Sequence, residues 1–138
     1  MHKISAGSKV LNDFLHGYPS NKLTIIYGKP ATCKTTLGLL ATIGQVGCNK
    51  KVIYIDTENG FNTERLRQLD SKVNNLMENI IVLKPKNWEE QEKLILSLPK
   101  NNASLIIIDT IGHFYRTEKD KTKANESLIK QLAYLKEI

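Results

Sequence analysis

Four short apolar runs, Leu23–Tyr27, Val52–Ile55, Ile80–Leu83 and Leu105–Ile108, are each followed by residues with helical periodicity or helix signals. Strands that carry no regular polar alternation must be covered on both faces, so the pattern predicts an α/β fold: a mostly parallel sheet with helices on both sides. Leu37, Leu39, Leu40, Ile43 and Val46 give one helix an apolar face that ends near Gly47. Asn62 can cap a second helix through Glu64, Leu66 and Leu69. Asn87 with Glu90 makes a capping-box-like start for a third, which buries Trp88, Leu94, Ile95 and Leu98 and stops at Pro99. Ser8 caps a short leading helix over Val10, Leu11, Phe14 and Leu15, and Gly17 ends it. After the fourth run, residues 117–125 read as a charged, mobile loop, and Leu128, Ile129, Leu132 and Leu135 as the apolar face of a closing helix.

Size and charge narrow the function. The 138 residues leave room for one domain with a single core, spanning 1–138. No stretch approaches the roughly 20 apolar residues of a membrane span, and Met1–Ser5 lacks the apolar run of a secretory signal. With two cysteines, Cys33 and Cys48, a reducing, cytoplasmic setting and no disulfide framework are expected. A net charge of +6, with clusters at Lys84/Lys86 and Lys119/Lys121/Lys123, suits phosphate-rich partners. No aromatic residues interleave with these clusters to stack bases, so charge alone does not establish DNA binding.

The chemistry concentrates between the first run and its helix, at Gly28, Lys29, Pro30, Ala31, Thr32, Cys33, Lys34, Thr35 and Thr36. This is P-loop spacing with one glycine replaced by Cys33. Main-chain N–H groups of such a loop, aimed by the positive N-terminus of the following helix, wrap phosphate oxygens. Lys34 adds a point charge for the β- and γ-phosphates, and the Thr35 hydroxyl stands where a magnesium ligand belongs, so ATP with Mg2+ is the expected ligand. A side chain at Cys33 resists a left-handed backbone, which would cost about 1–2 kcal/mol. Weak nucleotide binding, a tolerated substitution and a reactive thiolate all stay open. Asp109 ends the most apolar run, at the sheet edge where ligands of open α/β sheets bind. It is expected to hold magnesium, partly through water, with capping of the next turn as the plainer alternative. Glu58 follows its strand by three residues and reads either as a group that orients or deprotonates water or as a solvated loop residue. His113 reads as a surface or packing histidine, and Tyr115–Arg116 as a packed tyrosine beside a solvated arginine.

Three blocks resemble the RecA/RadA recombinase family, and within it the short archaeal RadB branch. They are Ile4–Ser8 with Leu11 and Phe14–Leu15; Val52–Phe61 with Glu64–Leu66; and Ile107–Thr110 with Phe114–Glu118. The resemblance implies a P-loop NTPase of RecA type, with Glu58 as catalytic glutamate and Asp109 as Walker B acid. It also implies weak Mg-dependent ATP hydrolysis and a role in DNA repair by homologous recombination. The partners it implies are a recombinase of the RadA type and single-stranded DNA. A non-catalytic regulator with an impaired P-loop, or a KaiC-like ATPase outside repair, are the alternatives. In the family, the region beyond residue 138 supplies further strands and the DNA-binding loops. The implied strand order therefore leaves Leu23–Tyr27 as an open edge, which a second chain would complete unless the protein is a truncated relic.

Overall fold

The computed structural model describes residues 2–100 and 102–138. A two-residue strand, Lys3–Ile4 (β1), pairs antiparallel with Tyr18–Pro19 (β2) across the helix Lys9–Leu15 (α1). Then come Lys34–Val46 (α2), Val52–Asp56 (β3), Thr63–Leu69 (α3), a 3-10 stretch Ser71–Asn79, and Ile80–Leu83 (β4). Trp88–Leu96 (α4), Leu105–Asp109 (β5), a 3-10 turn Tyr115–Thr117 and Lys121–Glu137 (α5) complete the chain.

Strand β3 is buried at every position, as an uninterrupted apolar run requires, and it is the middle of a parallel sheet ordered β4-β3-β5. On one face Leu39, Ile43 and Val46 of α2 meet Val52, Tyr54, Leu66 and Val73; on the other Ile53 and Ile55 meet Ile95 and Leu98 beneath α4 and α5. Each such side chain contributes roughly 1.5–3 kcal/mol by burial. Two of the three caps read from the sequence are made: Asn62 Oδ1 accepts from Glu64 N at 2.8 Å and Asn87 Oδ1 from Glu90 N at 2.8 Å, while Glu90 Oε2 takes the Lys86 amide. Ser8 stands at the N-cap of α1 in extended conformation, but its side chain makes no cap hydrogen bond. Gly7, at φ +83°, lets the leading segment touch α2, where an added Cβ would fall 1.7 Å from the Leu40 carbonyl oxygen.

Three further expectations need correction. Leu23–Tyr27 is not hydrogen-bonded into the sheet, and Ile25 is 69% and Tyr27 91% exposed. Among the described residues no layer covers these side chains, so pairing with β5 would bury too little to offset ordering the segment. A cavity of about 230 Å³, lined in part by Leu23, Ile26, Leu37 and Ile107, lies where the pairing would be. The charged stretch 117–125 is largely not a loop. Asp120 caps α5 by accepting from Lys123 N, and Lys121 donates to the Tyr115 and Arg116 carbonyls while lying 4.6 Å from the centre of the Tyr115 ring. Ile129 is 67% exposed; Gln131 takes the buried face instead, because its amide pairs with that of Gln91 at 3.0 Å. The 3-10 stretch Ser71–Asn79, begun by an Asp70 side chain accepting from Lys72 N, has no counterpart in the sequence reading. No helix among the described residues is long and apolar enough to cross a membrane.

Candidate functional site

Parallel register brings the two acidic strand ends level, with Asp56 of β3 opposite Asp109 of β5. Beyond them the loops are clasped together: Thr57 N donates to the Asp109 carbonyl at 3.0 Å, Thr110 N to Thr57 Oγ1 at 2.7 Å, and Thr57 Oγ1 to the Thr110 carbonyl at 2.7 Å. Glu58 is thereby held beside Asp109, and Thr110 Oγ1 lies 3.0 Å from Glu58 Oε2 and 3.1 Å from Asp109 Oδ1. The buried Asp56 carboxylate accepts from Gly60 N and Phe61 N, both at 3.0 Å, and so fixes the turn that carries Glu58. His113 Nδ1 lies 3.5 Å from Glu58 Oε1.

Across the sheet edge stands the N-terminus of α2, whose first turn holds no acidic residue to offset its free N–H groups. Thr35 Oγ1 donates to Asp109 Oδ2 at 2.8 Å, joining residues 74 apart in sequence. Tyr54, fully buried on β3, donates to the same oxygen at 2.8 Å. Burial, and then the neighbouring Asp109 carboxylate, push the Tyr54 phenol far above its ordinary pKa, so it remains a donor.

The loop from Gly28 to Cys33 curls around the Lys34 ammonium, which donates to the Gly28 carbonyl at 2.8 Å and the Lys29 carbonyl at 2.7 Å, with Thr32 Oγ1 3.5 Å away. Thr32 itself donates to the Lys29 carbonyl at 2.6 Å. At Gly28 an added Cβ would come within 3.0 Å of Thr32 Oγ1, so the loop closes tightly where glycine stands. Cys33 is the N-cap of α2 with φ 67° and ψ 22°, and Ala31 has φ 59°. The left-handed conformation feared for a residue with a Cβ is therefore adopted at Cys33. Its thiol is free and exposed.

Lys34, Thr35, Asp109 and Glu58 thus share one end of the sheet. Pro30 and Thr36 belong to the same loop and helix start, and no side-chain contact sets either apart. The sequence reading missed Tyr54, Thr57, Thr110 and Asp56, although a hydroxyl directly after each acidic strand end, Thr57 and Thr110, was a signal in plain view. The donor set suits an anion with a hard cation: a lysine ammonium, a helix N-terminus, one hydroxyl and one carboxylate. Mg2+ is commonly held by one or two protein groups together with phosphates and water. Among the described residues no cluster of three or more His, Cys, Asp or Glu side chains forms a closed metal site.

A family model described as Rad51 matches residues 1–137. A Methanococcus maripaludis protein named DNA repair and recombination protein RadB is 38% identical over 137 residues, covering 91% of this chain and 62% of its own length. The Methanocaldococcus jannaschii protein of the same name is 42% identical over 117 residues, covering 80% and 54% respectively. A crystal structure of the RadB recombinase superposes with a TM-score of 0.79 at 32% identity, over 96% of this chain and 63% of that one. The fold is therefore of RecA type, and the chain spans about 62% of the length of the first of these relatives.

Proposed function

From the premise that the chain belongs to the Rad51 family, we propose that it binds ATP with Mg2+ at the N-terminus of α2, hydrolyses it weakly, and serves DNA repair by recombination. The observation that carries this reading is the 2.8 Å bond between the Thr35 hydroxyl and the Asp109 carboxylate, formed at the mouth of a loop that encloses the Lys34 ammonium. Lys34 exchanges the Gly28 and Lys29 carbonyls for phosphate oxygens, which are stronger, charged acceptors. The main-chain N–H groups of residues 31–36 and the helix dipole complete the anion site. Thr35, its proton donated to Asp109, would offer a lone pair to the cation, and Asp109 would help to hold that cation, partly through water. Magnesium held by these groups would neutralise charge on the triphosphate. Glu58, supported by Thr110, orients water for attack and takes up its proton.

The exposed Ile25 and Tyr27 and, among the described residues, the unpaired flank of β5 support a polypeptide segment that covers this edge. Single-stranded DNA and a recombinase of the RadA type are the proposed macromolecular partners, engaged once the edge is covered. One observation favours a second reading, a regulator with an impaired site: the left-handed backbone at Cys33.

Titration with a fluorescent, non-hydrolysable ATP analogue tests the proposal. Saturable, magnesium-dependent association is expected, and Lys34→Ala should weaken it about 10–100-fold, the worth of a hydrogen bond to a charged group. If the chain fails to associate both alone and with a polypeptide that supplies the relatives' remaining length, the reading is overturned.

A further inference from the structure

Asp109 Oδ2 accepts two hydroxyl hydrogens, from Thr35 and from Tyr54, each at 2.8 Å. Only one of these donors stands in the proposed nucleotide machinery. The other rises from the middle of the core, where Tyr54 is 0% exposed and its ring lies 4.9 Å from that of Phe61. A phenylalanine would satisfy the packing of such a site, and it would spare a buried hydroxyl the need for a partner. The hydroxyl therefore does something the ring does not, and among the described residues it bonds to Asp109.

Gly38, on the turn of α2 after Thr35, lies against the phenol: an added Cβ there would stand 3.4 Å from both Tyr54 Oη and Ile107 Cγ2, so helix and sheet approach closely around the hydroxyl. Helix, central strand and carboxylate are thus arranged around one hydrogen bond.

The geometry points to Tyr54 as a positioning residue for the magnesium-side carboxylate: it fixes Asp109 from beneath, so that the acid is oriented before any ligand arrives. This inference rests on the proposed nucleotide site and deepens it. Thr35 belongs to a helix start that must adapt to phosphate, whereas Tyr54 sits on the most buried strand and keeps its bond unchanged. With Oδ2 held by two donors, Oδ1 is the oxygen with greater capacity left for metal-bound water. Partners of this outer kind typically change metal affinity about 10–100-fold when removed.

Tyr54→Phe keeps the ring and deletes the bond. Magnesium is titrated against the full chain at fixed ATP analogue, with a parallel titration of the analogue in excess chelator. In Tyr54→Phe the magnesium half-saturation should rise about tenfold, while the metal-free analogue binds within about twofold of the unaltered protein. Asp109→Asn should remove the magnesium dependence, and Tyr54→Phe added to it should change nothing further, the signature of two groups acting as a unit. Uniform replacement of tyrosine by 3-fluorotyrosine, which makes the phenol a stronger donor, should shift the half-saturation in the opposite direction and reads the same bond should Tyr54→Phe fail to fold. Unchanged half-saturation in the variants, or equal weakening with and without metal, overturns the role of Tyr54 and leaves the nucleotide site standing. No magnesium-dependent association by the unaltered protein overturns both.

Discussion

The two halves of the proposed site are built on different foundations. Asp109, Glu58 and their supporting threonines hang from β3 and β5, which pair along five residues and lock the loops beyond them with reciprocal hydrogen bonds. The phosphate half, from Leu23 to Cys33, is exposed, unpaired and held by its own short-range bonds, chiefly those of Lys34 and Thr32 to carbonyls within the loop. The metal side is thus preorganised by the core. The phosphate side is organised by local contacts and open to whatever covers the sheet edge.

The difference is sharpest in stability. Ile55 is fully buried on β3 between the acidic strand ends and α4. Ile55→Ala should cost about 2–5 kcal/mol in urea unfolding, enough to unfold a marginal domain. A loss near zero would mean that β3 is not the foundation described above.

Cys33 offers a subtler break. Its left-handed conformation at φ 67° carries a strain of about 1–2 kcal/mol for a residue with a Cβ. Glycine would remove that strain at an entropic cost of roughly 0.5–1 kcal/mol. Cys33→Gly is therefore expected to stabilise the chain by about 0.5–1 kcal/mol and to tighten ATP-analogue binding several-fold, whereas Cys33→Ala, which keeps the Cβ, should do neither. Equal behaviour of the two variants would remove backbone strain as the meaning of this position. A gain confined to Cys33→Gly, accompanied by a rise in turnover, would favour an impaired site in the unaltered protein.

Legibility in the sequence follows the same divide. The strands β3, β4 and β5 were readable because short Val- and Ile-rich runs bounded by turn residues favour strands, although only β3 is buried throughout, and the Asn62 and Asn87 caps because capping is local. The fate of Leu23–Tyr27 was not, since strand pairing depends on a neighbour and a covering layer rather than on the segment itself. At α5, lysines at 119, 121 and 123 masked the cap at Asp120, and Gln131 displaced Ile129 from the buried face through a pairing with Gln91 that no hydrophobic pattern records. Within the proposed site, spacing pointed to Asp109, Lys34 and Thr35, which the structure brings to one end of the sheet. Tyr54 was hidden because a tyrosine in an apolar strand reads as packing until its hydroxyl is seen against a carboxylate.

The smallest expected effect sharpens the comparison most. Ile25 is 69% and Tyr27 91% exposed, so Ile25→Thr with Tyr27→Ser removes little buried surface. Unfolding of the chain alone should change by less than about 0.5 kcal/mol, as for ordinary surface positions. In the presence of a polypeptide that covers the β5 flank, the same pair of substitutions should instead weaken association markedly, because apolar side chains of an edge segment gain their burial only in the complex. A large loss of stability in the chain alone would mean that the segment is already seated in a core. No loss of association with the covering polypeptide would mean that this flank is not where it docks. Between those results lies the proposed asymmetry: a carboxylate half that stands by its own packing, and a phosphate half whose leading segment, Leu23–Tyr27, gains burial only when the β5 flank is covered.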